Sequence, residues 1–392
     1  MKKGKKCRPC PICQNATSVD ILYTQKFTLP DNCVLPKEYD LIACSRCGFI
    51  YTNTPVGQDG YDKYYREMSK YEMAYINSDT LLFSARADWM STFICDRKYT
   101  IIDIGCGNGQ LLLELKKRGF INLTALDPSQ KCIEAISNIG IAGMVGSAFN
   151  ITTTKQYDCV ILSGVLEHIY DVSRLMQTVK LLTKATGLLF VFVPDASRYK
   201  DYDTTPCDYF NIEHINHFAE TSLINLGYLH GFRAIGLLKT TINFFQTKQP
   251  VLFCAYQNVG IMRARIQYDT STKDLILKYI AKTQQCGKAQ NRIIDELAKS
   301  QEEIVIWGAG NYTSRLLATS NLAKCNIKMF VDNDQHKHGL SLCGKTICPP
   351  RSILAVQKKI KIVVAAAVFY NEIVAEIHRM GIDNKVIVLN EQ

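Results

Sequence analysis

Three groups of residues in this sequence have the types and spacing that chemistry needs: paired cysteines, an acid before a glycine run, and histidines among aromatics. Cys10-Pro-Ile-Cys13 and Cys44-Ser-Arg-Cys47 are two CxxC pairs. The two-residue gap lets both thiolates of a pair reach one ion, and the amides of each tight turn offset the thiolate charge. Four thiolates fill a tetrahedral Zn²⁺ shell with no position left for water, so Cys10, Cys13, Cys44 and Cys47 are the expected ligands of a structural zinc. Cys7-Arg-Pro-Cys10 is also a CxxC, which leaves Cys7 as an alternative ligand.

The glycine run lies in YTIIDIGCGNGQLLLELKKRG, residues 99–119. A buried parallel strand passes into a glycine turn and then into a helix with leucines on one face. Gly105, Gly107 and Gly109 let the backbone approach a ligand closely. The spacing is DxGxGxG and not the pyrophosphate fingerprint GxGxxG, and the acid on the strand, Asp103, suits a cationic or amino ligand. Asp127 ends the next strand in INLTALDPS, where it can accept both hydroxyls of a ribose. VGSAFN (145–150) and YDCVILSGVLEHI (157–169) supply the third and fourth strand ends, where open α/β sheets bind ligands.

The histidines stand in YFNIEHINHFAE, residues 209–220, after the apolar run GLLFVFVP and before ETSLINLGYLHGF. A neutral imidazole here can take a proton, since its pKa lies close to working pH. Glu213 can raise the basicity of His214, although neighbours in an extended segment point to opposite sides.

DIGCGNG, LDPS and VLEHI resemble the class I methyltransferases that use S-adenosylmethionine, in order and spacing, over roughly residues 95–255. The resemblance implies that Gly105 and Gly107 lie against the cofactor, Asp103 faces its methionine part, Asp127 holds the ribose and Ser147 lies near the adenine. It implies a structural role for His168 and a packing role for His217 in the pair His217-Phe218. A narrower resemblance covers nearly the whole chain. The CxxC…CxxC segment, the central methyltransferase, the Glu-His pair and a C-terminal α/β domain look like the bacterial C-methyltransferases of nucleotide-linked keto-deoxysugars. That family implies His214 as general base with Glu213 beside it: a proton leaves the carbon next to a ketone, and the enolate attacks the sulfonium methyl. The chain departs from the family at Asn211, where a tyrosine is usual, and YYREMSKYE only loosely echoes its tyrosine motif. Tyr65 and Tyr71 are candidates for substrate contact or for packing between domains. O- or N-methylation of a related small molecule is the alternative reaction.

These residues need a frame to hold them. A chain of 392 residues with 47% hydrophobic content has ample core for two or three domains. The expected architecture is α/β: a zinc-knuckle domain over 1–60, a Rossmann-like class I methyltransferase sheet over 61–258, and a smaller Rossmann-like α/β domain over 259–392. The last contains EIVIWGAGNYTSRLL, IKMFVDND and IKIVVAAAV, but Thr313 stands where GxGxxG has its third glycine. The sugar-methyltransferase resemblance implies that this domain helps hold the nucleotide-linked substrate; a scaffold or a dimer contact is the alternative, so monomer and homodimer both stay open. The net charge of +10 suits nucleic acid or an anionic metabolite. Against a nucleic-acid module, LSGVLEH lacks the Asn/Asp-Pro-Pro-aromatic motif of base methylation, and no basic-aromatic stripe accompanies the cysteines. MKKGKK is followed by CRPCPICQ instead of an apolar core, and the best apolar run, IVVAAAVF, is far below the roughly 18 residues of a membrane span. Sixteen cysteines then point to reduced thiols and metal ligands in a soluble, cytoplasmic protein.

Overall fold

The computed structural model describes residues 8–67, 80–151, 153–202, 207–244, 247–262, 265–357 and 359–389. Cys7, Tyr71 and the MKKGKK cluster lie outside the described residues. The chain divides into two compact units. One comprises Met1–Leu22, Leu41–Tyr202 and Glu213–Ile276; the other comprises Tyr23–Asp40, Asp203–Ile212 and Leu277–Gln392.

Three strands come first, β1 (Val19–Lys26), β2 (Glu38–Cys44) and β3 (Ile50–Asn53), followed by helices α1 (Gln58–Glu67) and α2 (Thr80–Ser91). An α/β alternation then runs β4 (Thr100–Ile104), α3 (Gln110–Lys117), β5 (Asn122–Asp127), α4 (Gln130–Asn138), β6 (Ala142–Val145), β7 (Tyr157–Ser163), α5 (Val172–Leu182) and β8 (Thr183–Pro194). The short strand β9 (Asn216–His217) and α6 (Glu220–Leu229) lead into a hairpin of β10 (Phe232–Phe244) and β11 (Thr247–Asn258). The seven-stranded sheet has the order β10-β11-β8-β7-β4-β5-β6. Strands β4 to β8 run parallel, while β11 is antiparallel to both β8 and β10. The first crossover moves outward from β4 to β5 and a later one returns to β7 on its other side, so the crevice between the ends of β4 and β7 is the switch point where ligands bind.

Successive side chains of a strand point to opposite faces, and the apolar runs of this sheet fill both. Ile102, Ile104, Val160, Leu162, Leu189 and Val191 join one buried cluster with α5, α6 and the cysteine segment. Ile101, Cys159, Ile161, Phe190 and Phe192 join another with α2, α3 and α4. Strands β1, β2, β3 and β9 form a separate four-stranded sheet in that order. Its last pairing is antiparallel, Ile50 opposite His217 and Tyr51 opposite Asn216.

The second unit carries its own sheet. After α7 (Thr272–Ser300) come β12 (Ile304–Trp307), α8 (Asn311–Thr319), β13 (Ile327–Val331), β14 (Ser341–Leu342), β15 (Lys345–Cys348), β16 (Lys361–Val364), α9 (Tyr370–Arg379) and β17 (Val386–Val388). The order is β14-β15-β13-β12-β16-β17, with β12 parallel to β13 and β16. The mixed α/β architecture and its Rossmann-like central sheet are those expected from the motifs.

Candidate active site

The four cysteines of the two CxxC pairs converge. Cys10 Sγ lies 3.5 Å from Cys47 Sγ and Cys13 Sγ lies 3.4 Å from Cys44 Sγ. All four sulfurs are buried and lie within 4.8 Å of one another. Each pair sits on a tight turn closed by a backbone bond, Gln14 N to Cys10 O at 2.9 Å and Gly48 N to Cys44 O at 2.8 Å. The Asn15 amide donates to Cys44 Sγ at 3.7 Å. Such crowding sets the thiols against each other. Hydrogen bonding from Cys10 pulls Cys13 down to about 7 and Cys44 far lower, while the same contacts drive Cys10 and Cys47 up. A divalent cation lets all four ionise together. The donor set therefore fits Zn²⁺, with Cys10, Cys13, Cys44 and Cys47 as the residues that would hold it.

At the switch point the penultimate residue of β4 is Asp103, which is 1% exposed, and its Oδ1 has no hydrogen-bond partner. Burial pushes this carboxyl up to about 8; Arg86 pulls it down and Asp127 adds to the rise. Asp127, at the end of β5, accepts from Gly107 N at 2.8 Å and from Ser129 N at 2.9 Å. Its carboxylate thus fixes the glycine turn. Gly105 needs to be glycine twice over: its φ is +70°, and a Cβ would lie 2.9 Å from Val165 Cγ2. Ser147 follows β6 and bonds with Asn150 Oδ1 through its N–H at 2.8 Å. A buried carboxyl with an unpartnered oxygen, beside a turn that keeps Cβ atoms away, fits the ammonium of S-adenosylmethionine. Asp103, Gly105, Gly107, Asp127 and Ser147 all lie at carboxyl ends of neighbouring strands β4, β5 and β6.

The loop after β7 adds a second cluster. Val165, which abuts Gly105, leads into a short helical turn of buried residues, Leu166, Glu167 and His168. The rings of His168 and His214 meet edge-on with centroids 4.8 Å apart. His168 Nδ1 lies 3.1 Å from Glu213 O and 2.8 Å from the Tyr65 hydroxyl. Nδ1 thus meets a hydroxyl, which can donate to it, and a carbonyl, to which it donates when it carries the proton. Glu167 is fully buried with Oε2 unpartnered, and burial lifts its carboxyl to about 7. One ligand atom each from Glu167, His168 and His214 falls within 4.8 Å of the others.

Glu213 accepts from the Tyr64 hydroxyl at 3.0 Å through its side chain, while its carbonyl meets His168. His217 is 1% exposed in β9, opposite Ile50, with the Tyr199 hydroxyl 3.4 Å from Nδ1. Burial lowers it to about 3, so it stays neutral at working pH. His168, expected to be structural, is buried and lies edge-on against His214. Sequence reasoning also passed over Glu167, Tyr64 and Arg86. The signal for Glu167 was present in VLEH; Arg86, which donates to Ser163 Oγ at 2.8 Å, sits in a helix with no motif around it.

Comparison with known proteins bears on this geometry. Residues 71–236 match the family described as methyltransferase domain, and residues 300–388 match the family described as C2185-like, N-terminal. The ubiquinone biosynthesis O-methyltransferase of Rickettsia akari (strain Hartford) is 31% identical over 100 residues, covering 24% of this chain and 39% of that protein. That of Rhizobium leguminosarum bv. trifolii (strain WSM2304) is 34% identical over 98 residues, covering 23% of this chain and 38% of its own. The chain spans only 39–40% of the length of the first curated relatives it matches. Among solved structures, the Burkholderia thailandensis 1,6-didemethyltoxoflavin-N1-methyltransferase is 12% identical with a TM-score of 0.41, covering 55% of this chain and 97% of that one. The sheet order, the glycine turn and the family match make the central part of this chain a class I, S-adenosylmethionine-dependent methyltransferase domain. No helix among the described residues is long and apolar enough to cross a membrane.

Proposed function

We propose that the protein methylates a carbon next to a ketone in a nucleotide-linked sugar, with His214 as general base. S-adenosylmethionine, when bound, supplies an electrophilic methyl group on a sulfonium. The residues of the chain do the rest. Asp103 takes the cation's ammonium and Asp127 the ribose. His214 removes the proton beside the ketone, the new carbon–carbon bond forms as the sulfur–carbon bond breaks, and the proton stays on the imidazole until it returns to solvent. The contact that carries this reading is the His168–His214 pair, beside the turn whose Val165 abuts Gly105. Contacts of His168 Nδ1 with Glu213 O and the Tyr65 hydroxyl support this reading, because they hold the ring edge-on to His214. The Glu213 carboxylate holds the Tyr64 hydroxyl next to the histidine-bearing segment. The zinc ligands Cys10, Cys13, Cys44 and Cys47 anchor the N-terminal segment.

The experiment is exchange in deuterated water. Given a nucleotide keto-sugar and S-adenosylhomocysteine, the protein should exchange the proton beside the ketone, and His214→Gln should not. Turnover of that variant should fall by about 10²–10⁴, the usual loss of a general base. Methylation without exchange in the wild type, or exchange unchanged in His214→Gln, refutes the carbon-base role.

A second reading has its own observation. Glu167, His168 and His214 together have the donor types that bind a divalent cation, and the curated relatives are named as O-methyltransferases. A cation there would hold an acceptor hydroxyl for O-methylation, with His214 as ligand. Loss of activity on dialysis against a chelator, restored by one cation while the cysteine site stays filled, selects this reading over the first.

A further inference from the structure

Arg8 is 2% exposed, two residues before the first zinc-site cysteine. A buried guanidinium needs a purpose, and this one is spent on backbone carbonyls. Nη1 donates to Ile215 O at 3.2 Å and to Thr52 O at 3.4 Å. Nη2 donates to Ile169 O at 3.1 Å and to Tyr170 O at 2.6 Å. Ile215 follows His214, and Ile169 follows His168. One planar fork therefore spans the carbonyls just beyond the two histidines. Its own backbone is tied to the same sheet: Arg8 N donates to Asn53 Oδ1 at 2.9 Å, and the Tyr51 hydroxyl donates to Arg8 O at 3.2 Å. The other side of the cysteine site reaches the same segment through β3. It starts three residues after Cys47, and Thr52 N donates to Ile215 O at 3.0 Å.

We infer that Arg8 is a positioning residue that couples the cysteine knuckle to the histidine pair. The knuckle fixes where Arg8 and β3 start; Arg8 and β3 fix where His214 sits relative to His168. The guanidinium suits the task because its donors diverge in a rigid plane, while a lysine ammonium is a single point on a flexible stem. Asn216 supports the same junction, donating to Leu166 O and Ile169 O, both at 2.7 Å. Sub-ångström placement matters there, since a misplacement of ~1 Å at a reacting centre costs on the order of 10² in rate.

The inference rests on the reading of His214 as base, and its test separates the two. Full-length Arg8→Lys is labelled on histidine and its imidazole NMR signals are compared with wild type. The signals of His168 and His214 should shift, as they should when the zinc is stripped, while those of His336 and His378 stay. S-adenosylmethionine affinity and zinc content of Arg8→Lys should match wild type, and kcat on the nucleotide sugar should fall by roughly 10²-fold at unchanged KM. Imidazole signals that do not move, or a kcat within twofold of wild type, overturn the inference. A wild type that methylates nothing sinks the functional reading instead and leaves the spectral result to stand alone. If Arg8→Lys proves too unstable to measure, Arg8→Gln with millimolar guanidinium replaces it. Restoration of the histidine signals by guanidinium, and not by sodium, supports the coupling; no restoration overturns it.

Discussion

Each of the two mixed, mostly parallel sheets ends a central strand in a glycine turn, and each turn is gripped by an aspartate at the end of the strand beside it. After β4, Gly107 N donates to Asp127 Oδ2 at 2.8 Å; after β12, Ala309 N donates to Asp332 Oδ2 at 2.7 Å. The likeness ends there. Two residues before its first glycine, β4 has the buried Asp103 with an oxygen left unpartnered, where β12 has the apolar Ile306. The second aspartate also meets Lys337 Nζ at 3.1 Å. Thr313 Oγ1 closes the second turn on Gly308 O and Ala365 O, at 2.6 and 3.0 Å. A glycine turn and its aspartate are thus a way to build a strand–helix corner. What sets the first corner apart is the buried acid its own chain leaves unsatisfied, the group proposed to meet the cofactor's ammonium.

The widest gap between the two corners should open on removing the aspartates. Asp127→Ala should weaken S-adenosylmethionine binding by about 1–3 kcal/mol, the scale for losing a charged hydrogen-bond partner, or on the order of 5- to 150-fold. Asp332→Ala should leave that affinity unchanged and lower only the melting temperature. Calorimetry with both variants decides. Equal losses would mean that the aspartates act through folding alone.

Next in size is a proton. Burial holds Asp103 up to about 8, so near neutral pH the ligand-free carboxyl keeps its proton, and a bound ammonium requires it to leave. Binding should therefore release protons and tighten as pH rises towards 8, by at most about 1.4 kcal/mol per pH unit for one proton. Without ligand the sign reverses: a raised carboxyl pKa contributes stability that is full below the unfolded value near 4 and is lost as pH climbs to about 8. Glu167, raised to about 7, acts in the same direction. Calorimetry in two buffers of different ionisation enthalpy reads the release, and Asp103→Asn should abolish the part that belongs to Asp103. A release unchanged in that variant would assign the proton elsewhere.

The contrast also explains what could be read in the sequence. Strand periodicity, the glycine spacing and the CxxC pairs are local signals, and β4, α3, β5 and the four-cysteine cluster stand where those signals put them. Arg8 was not legible. Its acceptors are backbone carbonyls 44 to 207 residues away, and a carbonyl leaves no mark on residue type. The contact of His168 with His214 was hidden for a related reason. VLEH marks a common turn, but its partner, His214, arrives only because β9 pairs with β3 and Ile215 N donates to Glu167 O at 2.8 Å. Asp103 was readable as an acid on a strand; that the chain itself leaves its Oδ1 unpartnered depends on packing.

The test with the smallest single effect, at Gly310, compares the residues that cap the two helices. Gly109 precedes α3 with φ +75°, and a Cβ there would lie 2.6 Å from Ile136 Cγ1. Gly310 precedes α8 with φ −96° and ψ −167°, and nothing lies within 4 Å of its Cβ position. A serine at Gly310 adopts that extended backbone without strain, and its hydroxyl can accept from an N–H in the first turn of α8. Gly310→Ser should thus stabilise the ligand-free protein by a few tenths of a kcal/mol, about the gain of serine over glycine at a helix start. Gly109→Ser gains the same hydroxyl but must hold a left-handed backbone and displace Ile136. It should destabilise by ~1–3 kcal/mol, the usual cost of one strained backbone position. Denaturant melts of the two variants should therefore move in opposite directions. If both lower stability, the second corner is as tightly packed as the first, and the openness read at Gly310 is wrong.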